Sequence, residues 1–295
     1  MATVATVEAS HAAASPRGAI PIVLALGLFA LLFGDPIRLL ALDWWNDPEA
    51  GHGLLLVPVA GWLAWKAGLV EERRPARIAG IICLVGAVLL RYAAGLAAEV
   101  FTSRLSALAA AGGLVLFWLG WAQVRRWALP ILLIGLSIPL PSLVTTTIAM
   151  PLQFKASAMG AALLEWRHVP VRLSGNMILL PGHRLFVTEA CSGLRSLTAL
   201  LSLGVLISGI WLRMPATRIA LVLLAIPVAI VINAVRVFLT GFLVFFVNPE
   251  LGDGFMHVTE GWLMFLVAFT TLGGIAWLLT AGERWWHRRK GVANA

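Results

Sequence analysis

The chain has 295 residues, of which 60% are hydrophobic and only 12% charged, with a formal net charge of +8. Soluble domains run at about 45 to 50% apolar and about 25% charged, so a soluble enzyme is excluded and an all-α polytopic membrane protein is expected. The positive balance calls for no nucleic-acid partner, because most of it reads as membrane-topology signal. The two cysteines, Cys83 and Cys191, imply no disulfide framework and no metal set.

A bilayer core needs about 20 mostly apolar residues per helical span. Windows of that kind fall at 19–34, 54–70, 78–97, 105–121, 127–144, 192–211, 219–246 and 258–281. About eight transmembrane helices are therefore expected, the first being the shortest, in a single membrane domain over residues 19–281. Residues 1–18, Ala-rich and nearly uncharged, read as a disordered cytoplasmic N-terminus, and residues 282–295, with ERWWHRRK, as a basic cytoplasmic tail. No A-x-A site follows the first apolar run, so no cleaved signal peptide is expected.

Orientation follows from Lys and Arg, which cytoplasmic connections keep. One set of connections carries twelve of them, from Arg17 through Arg73, Arg74, Arg125, Arg126, Arg213 and Arg218 to the tail. The other set carries six: Arg38, Arg104, Lys155, Arg167, Arg172 and Arg184. Both termini are thus expected in the cytoplasm and the long connection 145–190 outside. Within that connection, TTTIAMPLQFKASAMGAALLEW (145–166) has helical apolar spacing and is expected to lie along the membrane surface. VPVRLSGNMILLPGHRLFV then alternates between turn signals, which predicts a small hairpin or three short strands leading directly to Cys191.

Four basic residues lie in none of these connections: Lys66, Arg91, Arg195 and Arg236. A charge at the centre of a span costs about 2.5 to 3.5 kcal/mol on insertion scales, so such a residue marks a partner or a function. Lys66 and Arg91 can snorkel to the two surfaces. Arg236, eighteen residues beyond Arg218 and so about 27 Å along a helix, belongs to the outer half of its span. Cys191, in VTEACSGLRSL, sits at the entrance of the sixth window, and His257, in MHVTEGW, at the outer mouth of the last. Topology alone brings these three to one membrane surface.

Their chemistry suits acyl transfer. A thiol at a helix N-terminus, with Arg195 one turn on, has its thiolate favoured. A histidine can take the thiol proton and return it to a leaving amine. An arginine can stabilise an oxyanion or hold a carboxylate. Ser192 and Gly193 keep the turn small and offer a free backbone N–H. Glu189 precedes the cysteine, and Glu260 shares a helix face with His257. Blander readings stand beside these. Cys83 reads as a small buried hydrophobe, and Arg236 can instead pair with a carboxylate to fix packing. His257 with Glu260 is at most half a metal site, with no third ligand close in sequence. His52, in EAGHGLL, reads as a cap or as a substrate-side residue; His168 and His183 read as solvated, and His11 and His287 as cytoplasmic.

EACSGLRSL, NAVRV and HVTEGW, in this order on successive late spans, resemble the three signature blocks of the exosortase and archaeosortase family. GHGLLLVP is similar to its early His-Gly block and IPLPSLVTTTIAMPLQ to its Pro-rich approach to the outer loop, so the likeness covers roughly residues 40–270. Gly51 stands where the early block commonly has Ser, which bears only on a hydroxyl role there. The resemblance implies a membrane-embedded cysteine protease or transpeptidase at the outer face of a bacterial inner membrane, often associated with exopolysaccharide production. Its substrates would be exported proteins ending in a motif such as Pro-Glu-Pro, a transmembrane helix and a basic tail. Carried over block by block, it makes Cys191 the nucleophile, Arg236 the essential arginine and His257 the general base and acid. Asn233 in the NAVRV block, with Glu189, Ser192, Gly193, Arg195, Glu260 and His52, falls on the supporting or substrate side. No cofactor or metal is expected, and the partners implied are the exported substrate and membrane lipid. Two rival readings remain: a non-enzymatic transporter or scaffold of polysaccharide export that uses Arg236 to bind an anion, and a membrane acyltransferase that uses Cys191 on lipid.

Overall fold

The structure is a computed structural model that describes residues 16–47, 50–186, 194–248 and 254–293. In chain order the helices are α1 (Pro16–Asn46), α2 (Gly53–Ala67), α3 (Arg77–Leu96), α4 (Val100–Trp118), α5 (Trp121–Arg126), α6 (Ala128–Leu136) and α7 (Ser142–Trp166). Three strands follow, β1 (Arg172–Ser174), β2 (Met177–Leu180) and β3 (His183–Phe186), and then α8 (Leu194–Trp211), α9 (Pro215–Phe246) and α10 (Gly254–Ala293). The all-α membrane architecture with a small β insertion ahead of the sixth window is as expected.

Helix length and apolarity alone do not reach the expected count of eight. Among the described residues five helices are long and apolar enough to cross a membrane, lying in α1, α3, α4, α9 and α10, while Gly53–Ala67 and Leu197–Trp211 are shorter apolar helices. The first window is no short span: α1 runs on through Pro36 to Asn46, and it carries Arg38 inside the helix, paired with Asp35. The fifth window, 127–144, holds only the nine residues of α6 before Ser137–Pro141 interrupt the helix. Arg104 is not a connection residue either. It lies in α4, 7% exposed, with its guanidinium on the Asp43 carboxylate. The residues read as a basic tail continue α10 as helix, with the Arg289 guanidinium over the Trp285 ring at 4.0 Å.

Four apolar clusters hold the bundle. Phe33 of α1 packs with Ala87, Ala107 and Ala110 of α3 and α4. Leu56 and Ala60 of α2 pack with Leu133 of α6, backed by Val205 and Leu206 of α8. The largest cluster joins α8, α9 and α10 through Leu200, Leu221, Ala225 and Leu272. The fourth joins α7, the sheet and α9 through Leu164, Ile178, Val237 and Val244.

The direction of α7 departs from expectation. Its Gly160 meets Val237 and Ala234 of α9, and its Leu164 meets Gly241, so the two helices run side by side in the same direction. The buried stripe is Gln153, Ala156, Ser157, Gly160, Ala161 and Leu164. Small residues at helical spacing let two backbones approach closely, which is how helices associate in lipid. Apolar spacing in 145–166 therefore serves a helix partner and not the membrane surface. α6 also runs this way, because it lies antiparallel to α8 with Leu129 against Gly209 and Leu133 against Val205 and Leu206. α6 and α7 thus follow one another in the same direction, with the break at Ser137–Pro141 between them.

The sheet is antiparallel in the order β1-β2-β3, with turns at Gly175 and Gly182, whose φ of 64° and 77° lie where glycine is favoured. Ile178 and Leu180 turn one face onto α7 and α9; on the other, Arg172, Leu179 and Arg184 stand in one cross-strand row.

At Gly160 a Cβ would lie 2.5 Å from Val237 Cγ1, and valine has little rotamer freedom to yield. Gly160→Val is expected to lower stability by about 1 to 3 kcal/mol, read as a lower thermal midpoint in detergent. Gly61→Ala, with nothing within 4 Å, should leave that midpoint unchanged or slightly raised.

Candidate active site

α9 places Arg236. The helix starts where Met214 is extended and Pro215 takes the first helical position. Ala225 and Ala229 form its buried stripe toward α8 and α10. Arg236 is eleven residues after Ala225 and seven after Ala229, close to three and two whole turns. It therefore stands on the same stripe, half-buried, where the helix leaves the apolar cluster. Its backbone oxygen accepts from Thr240 Oγ1 at 3.0 Å.

The depth of the three signature blocks can be read from one crossing point. A Cβ placed on Gly204 of α8 would lie within 4 Å of Val222 and Ala225 of α9 and of Leu272 of α10. Both α8 and α10 run opposite to α9: the Glu283 carboxylate of α10 meets Met214 and Thr217 at the start of α9 while Leu272 lies further along it, and α8 ends at Trp211 just before α9 begins at Pro215. From that level, at 1.5 Å per residue, Leu194 at the start of α8 is about 15 Å away, Arg236 about 16 to 21 Å, and the backbone of His257 about 22 Å. All three displacements point to the end of the bundle where α8 and α10 begin, here called the upper end. The helix start that Cys191 precedes by three residues, Arg236 and the first turn of α10 share one level to within about two helical turns.

Glu189, Cys191, Ser192 and Gly193 lie outside the described residues. Arg195 belongs to the first turn of α8, and His257 and Glu260 to the first turns of α10; their side chains lie outside the described residues. Asn233, three residues before Arg236, is 5% exposed. Among the described residues no group of three His, Cys, Asp or Glu side chains gathers that could hold a metal ion.

His52 stands apart from this level. It precedes α2 at the N-cap position, and its Nε2 lies 3.2 Å from the backbone oxygen of Leu136, the last residue of α6. A carbonyl only accepts, so this bond needs the hydrogen on Nε2. Leu136 is seven residues above Leu129, which touches Gly209, so it reaches about the level of Ser202, roughly 12 Å below the start of α8. Beside it the Trp44 indole donates to the Ser137 oxygen at 2.8 Å. Neither the Trp44 contact nor the Asp43–Arg104 pair was apparent from the sequence. The signal available was the pairing of IPLP, which interrupts a span, with the aromatic and acidic LDWWND.

These features define a polytopic membrane protein whose late helices gather an arginine, a histidine-bearing helix start and a cysteine-preceded helix start at one end. The family model for transmembrane exosortases matches residues 44–274. The chain belongs to the transmembrane exosortase family. No curated protein and no solved structure matches it.

Trp44→Phe keeps an aromatic ring, though a smaller one, and removes the donor to the Ser137 oxygen. Leaving a buried acceptor unpaired costs about 1 to 3 kcal/mol, so a lower thermal midpoint in detergent is expected. Gly53→Ala should give the same direction of change, because its Cβ would lie 2.3 Å from the Trp44 ring.

Proposed function

We propose that the chain is a cysteine peptidase or transpeptidase that removes the C-terminal sorting signal of exported proteins at the outer face of a bacterial inner membrane. The reading has both termini cytoplasmic and the upper end of the bundle outside. The observation that carries it is the common level of Arg236, the first turn of α10 and the start of α8, in a chain of the exosortase family.

The substrate's transmembrane helix docks beside the late spans and presents its motif at the membrane surface. Cys191 gives its proton to His257 and attacks the peptide carbonyl carbon, forming a tetrahedral intermediate whose oxyanion Arg236 stabilises. Collapse of that intermediate breaks the C–N bond. His257 returns the proton to the departing amine, and a thioester to Cys191 remains. Water then releases a free carboxylate, or an amine acceptor takes the acyl group, and either regenerates the thiol. Glu189, Ser192, Gly193, Arg195 and Glu260 would support the groups beside them in the chain, and His52 holds the end of α6 at its break.

The test is maturation of a tagged substrate bearing motif, helix and basic tail, followed by gel mobility in cells at matched enzyme expression. Cys191→Ala, Arg236→Ala and His257→Ala are each expected to leave it full length. Normal processing by Cys191→Ala overturns the thioester mechanism and favours a transporter or scaffold in which Arg236 binds an anion. Acylation of Cys191 by a lipid donor without any signal-bearing protein would favour the acyltransferase.

A further inference from the structure

Asn233 is a polar residue with an unmet need. It is 5% exposed, and its Nδ2 is a buried donor with no hydrogen-bond partner among the described residues. Buried amides in native proteins are nearly always hydrogen-bonded, and asparagine within membrane helices normally bonds across to a neighbour. A leucine of similar size would sit there without that penalty. The neighbours Ile232 and Ala234 show that this stretch of α9 is otherwise built from apolar side chains.

Its place on the helix is informative. Asn233 follows Ala229, which faces α8 and α10, by four residues, and precedes Val237, which faces α7 and the sheet, by four. It therefore lies on the seam between the two clusters. It is three residues from Arg236, hence about 4.5 Å lower and on an adjoining face of the helix. Counted from the Gly204 crossing, it lies about 12 to 17 Å up α9, level with the start of α8 at about 15 Å.

The unmatched atom is a donor, which restricts what can answer it. Guanidinium and protonated imidazole are donors only, so neither Arg236 nor a protonated histidine can accept from it. A peptide carbonyl can, and it accepts more strongly as it gains negative charge. We propose that Asn233 is a catalytic residue of the site described above, whose Nδ2–H donates to the scissile carbonyl oxygen of the substrate as that oxygen becomes an oxyanion, beside the Arg236 guanidinium. The inference rests on the cysteine-peptidase reading. A neutral donor suits the place: it adds no second charge to the apolar seam, and no proton leaves it in the reaction.

The experiment compares wild type, Asn233→Leu, Asn233→Ala and Cys191→Ala. Processing of a tagged membrane-anchored reporter with an outer Pro-Glu-Pro motif is followed by pulse-chase, thermal midpoints are measured on purified protein, and the rate of Cys191 alkylation by iodoacetamide is read by mass spectrometry. Asn233→Leu should have a thermal midpoint equal to or above wild type, an unchanged alkylation rate, and processing slowed about 100-fold, the usual effect of removing one oxyanion donor. Asn233→Ala should slow processing similarly even where its midpoint falls. Processing by Asn233→Leu within about threefold of wild type, with Cys191→Ala inactive, overturns the role of Asn233 and leaves the peptidase reading standing. Loss of activity that merely tracks loss of fold in both variants, or slower alkylation of Cys191, also overturns it, assigning the amide to packing or to thiol activation. Normal processing by Cys191→Ala removes the peptidase reading, and the inference with it.

Discussion

Backbone carbonyls freed inside an apolar bundle must find donors, and this constraint organises the half of the molecule that precedes the late helices. α6 ends at Leu136, about 12 Å below the start of α8. No water-filled loop can be assumed at that depth, and an unsatisfied carbonyl in hydrocarbon is expensive. His52 and Trp44 answer the oxygens of Leu136 and Ser137. Trp44 fits only because Gly53 has no side chain, and its neighbour Asp43 neutralises the buried Arg104. One contiguous group thus ties α1, α2, α4 and α6 together at the break, and the chain can restart as α7 in the same direction.

The late half uses α9 as a two-sided column. One side buries Ala225 and Ala229 against α8 and α10; the other buries Val237 and Val244 against α7 and the sheet. The sheet's Leu185 and Ile178 press onto that second side, which fixes where β3 ends, and β3 is the strand that hands the chain to residues 187–193. Arg236 and Asn233 rise from the column where its apolar stripes part. Rigid helices therefore set the positions of α9 on which the proposed mechanism rests, and such a mechanism needs precise placement of its groups.

The apolar windows and the strand-turn-strand pattern were legible in the sequence because each is a local signal. Ser-Gly-Asn and Pro-Gly marked turns that do fall at Gly175 and Gly182. The depth of Arg236 was also legible, since rise per residue in a helix is fixed. What the sequence did not disclose depends on partners. The spacing in 145–166 announces a face without saying whether lipid headgroups or α9 meets it. Arg104 reads as a loop cation until Asp43, sixty-one residues away, is brought to it. Pro36 and the charges around it read as the end of a span, yet α1 continues past them, with Leu40 buried and Asp43 paired with Arg104 of α4. Cys191 and the side chain of His257 lie outside the described residues.

The short helices have a consequence for the lipid around them. α2 has fifteen residues, about 22 Å of helix, where a typical hydrocarbon core is about 30 Å thick. A bilayer meeting so short an apolar segment thins, or the segment's flanking residues reach for the interface. Trp62 and Trp65 are exposed on this helix, and the Lys66 ammonium sits 5.0 Å from the Trp62 ring, a belt of the kind that anchors an interface. An ordinary membrane helix brought alongside α2 would be about 8 Å too long for the thinned sheet of lipid. It must tilt, or stand proud of the surface by about five residues.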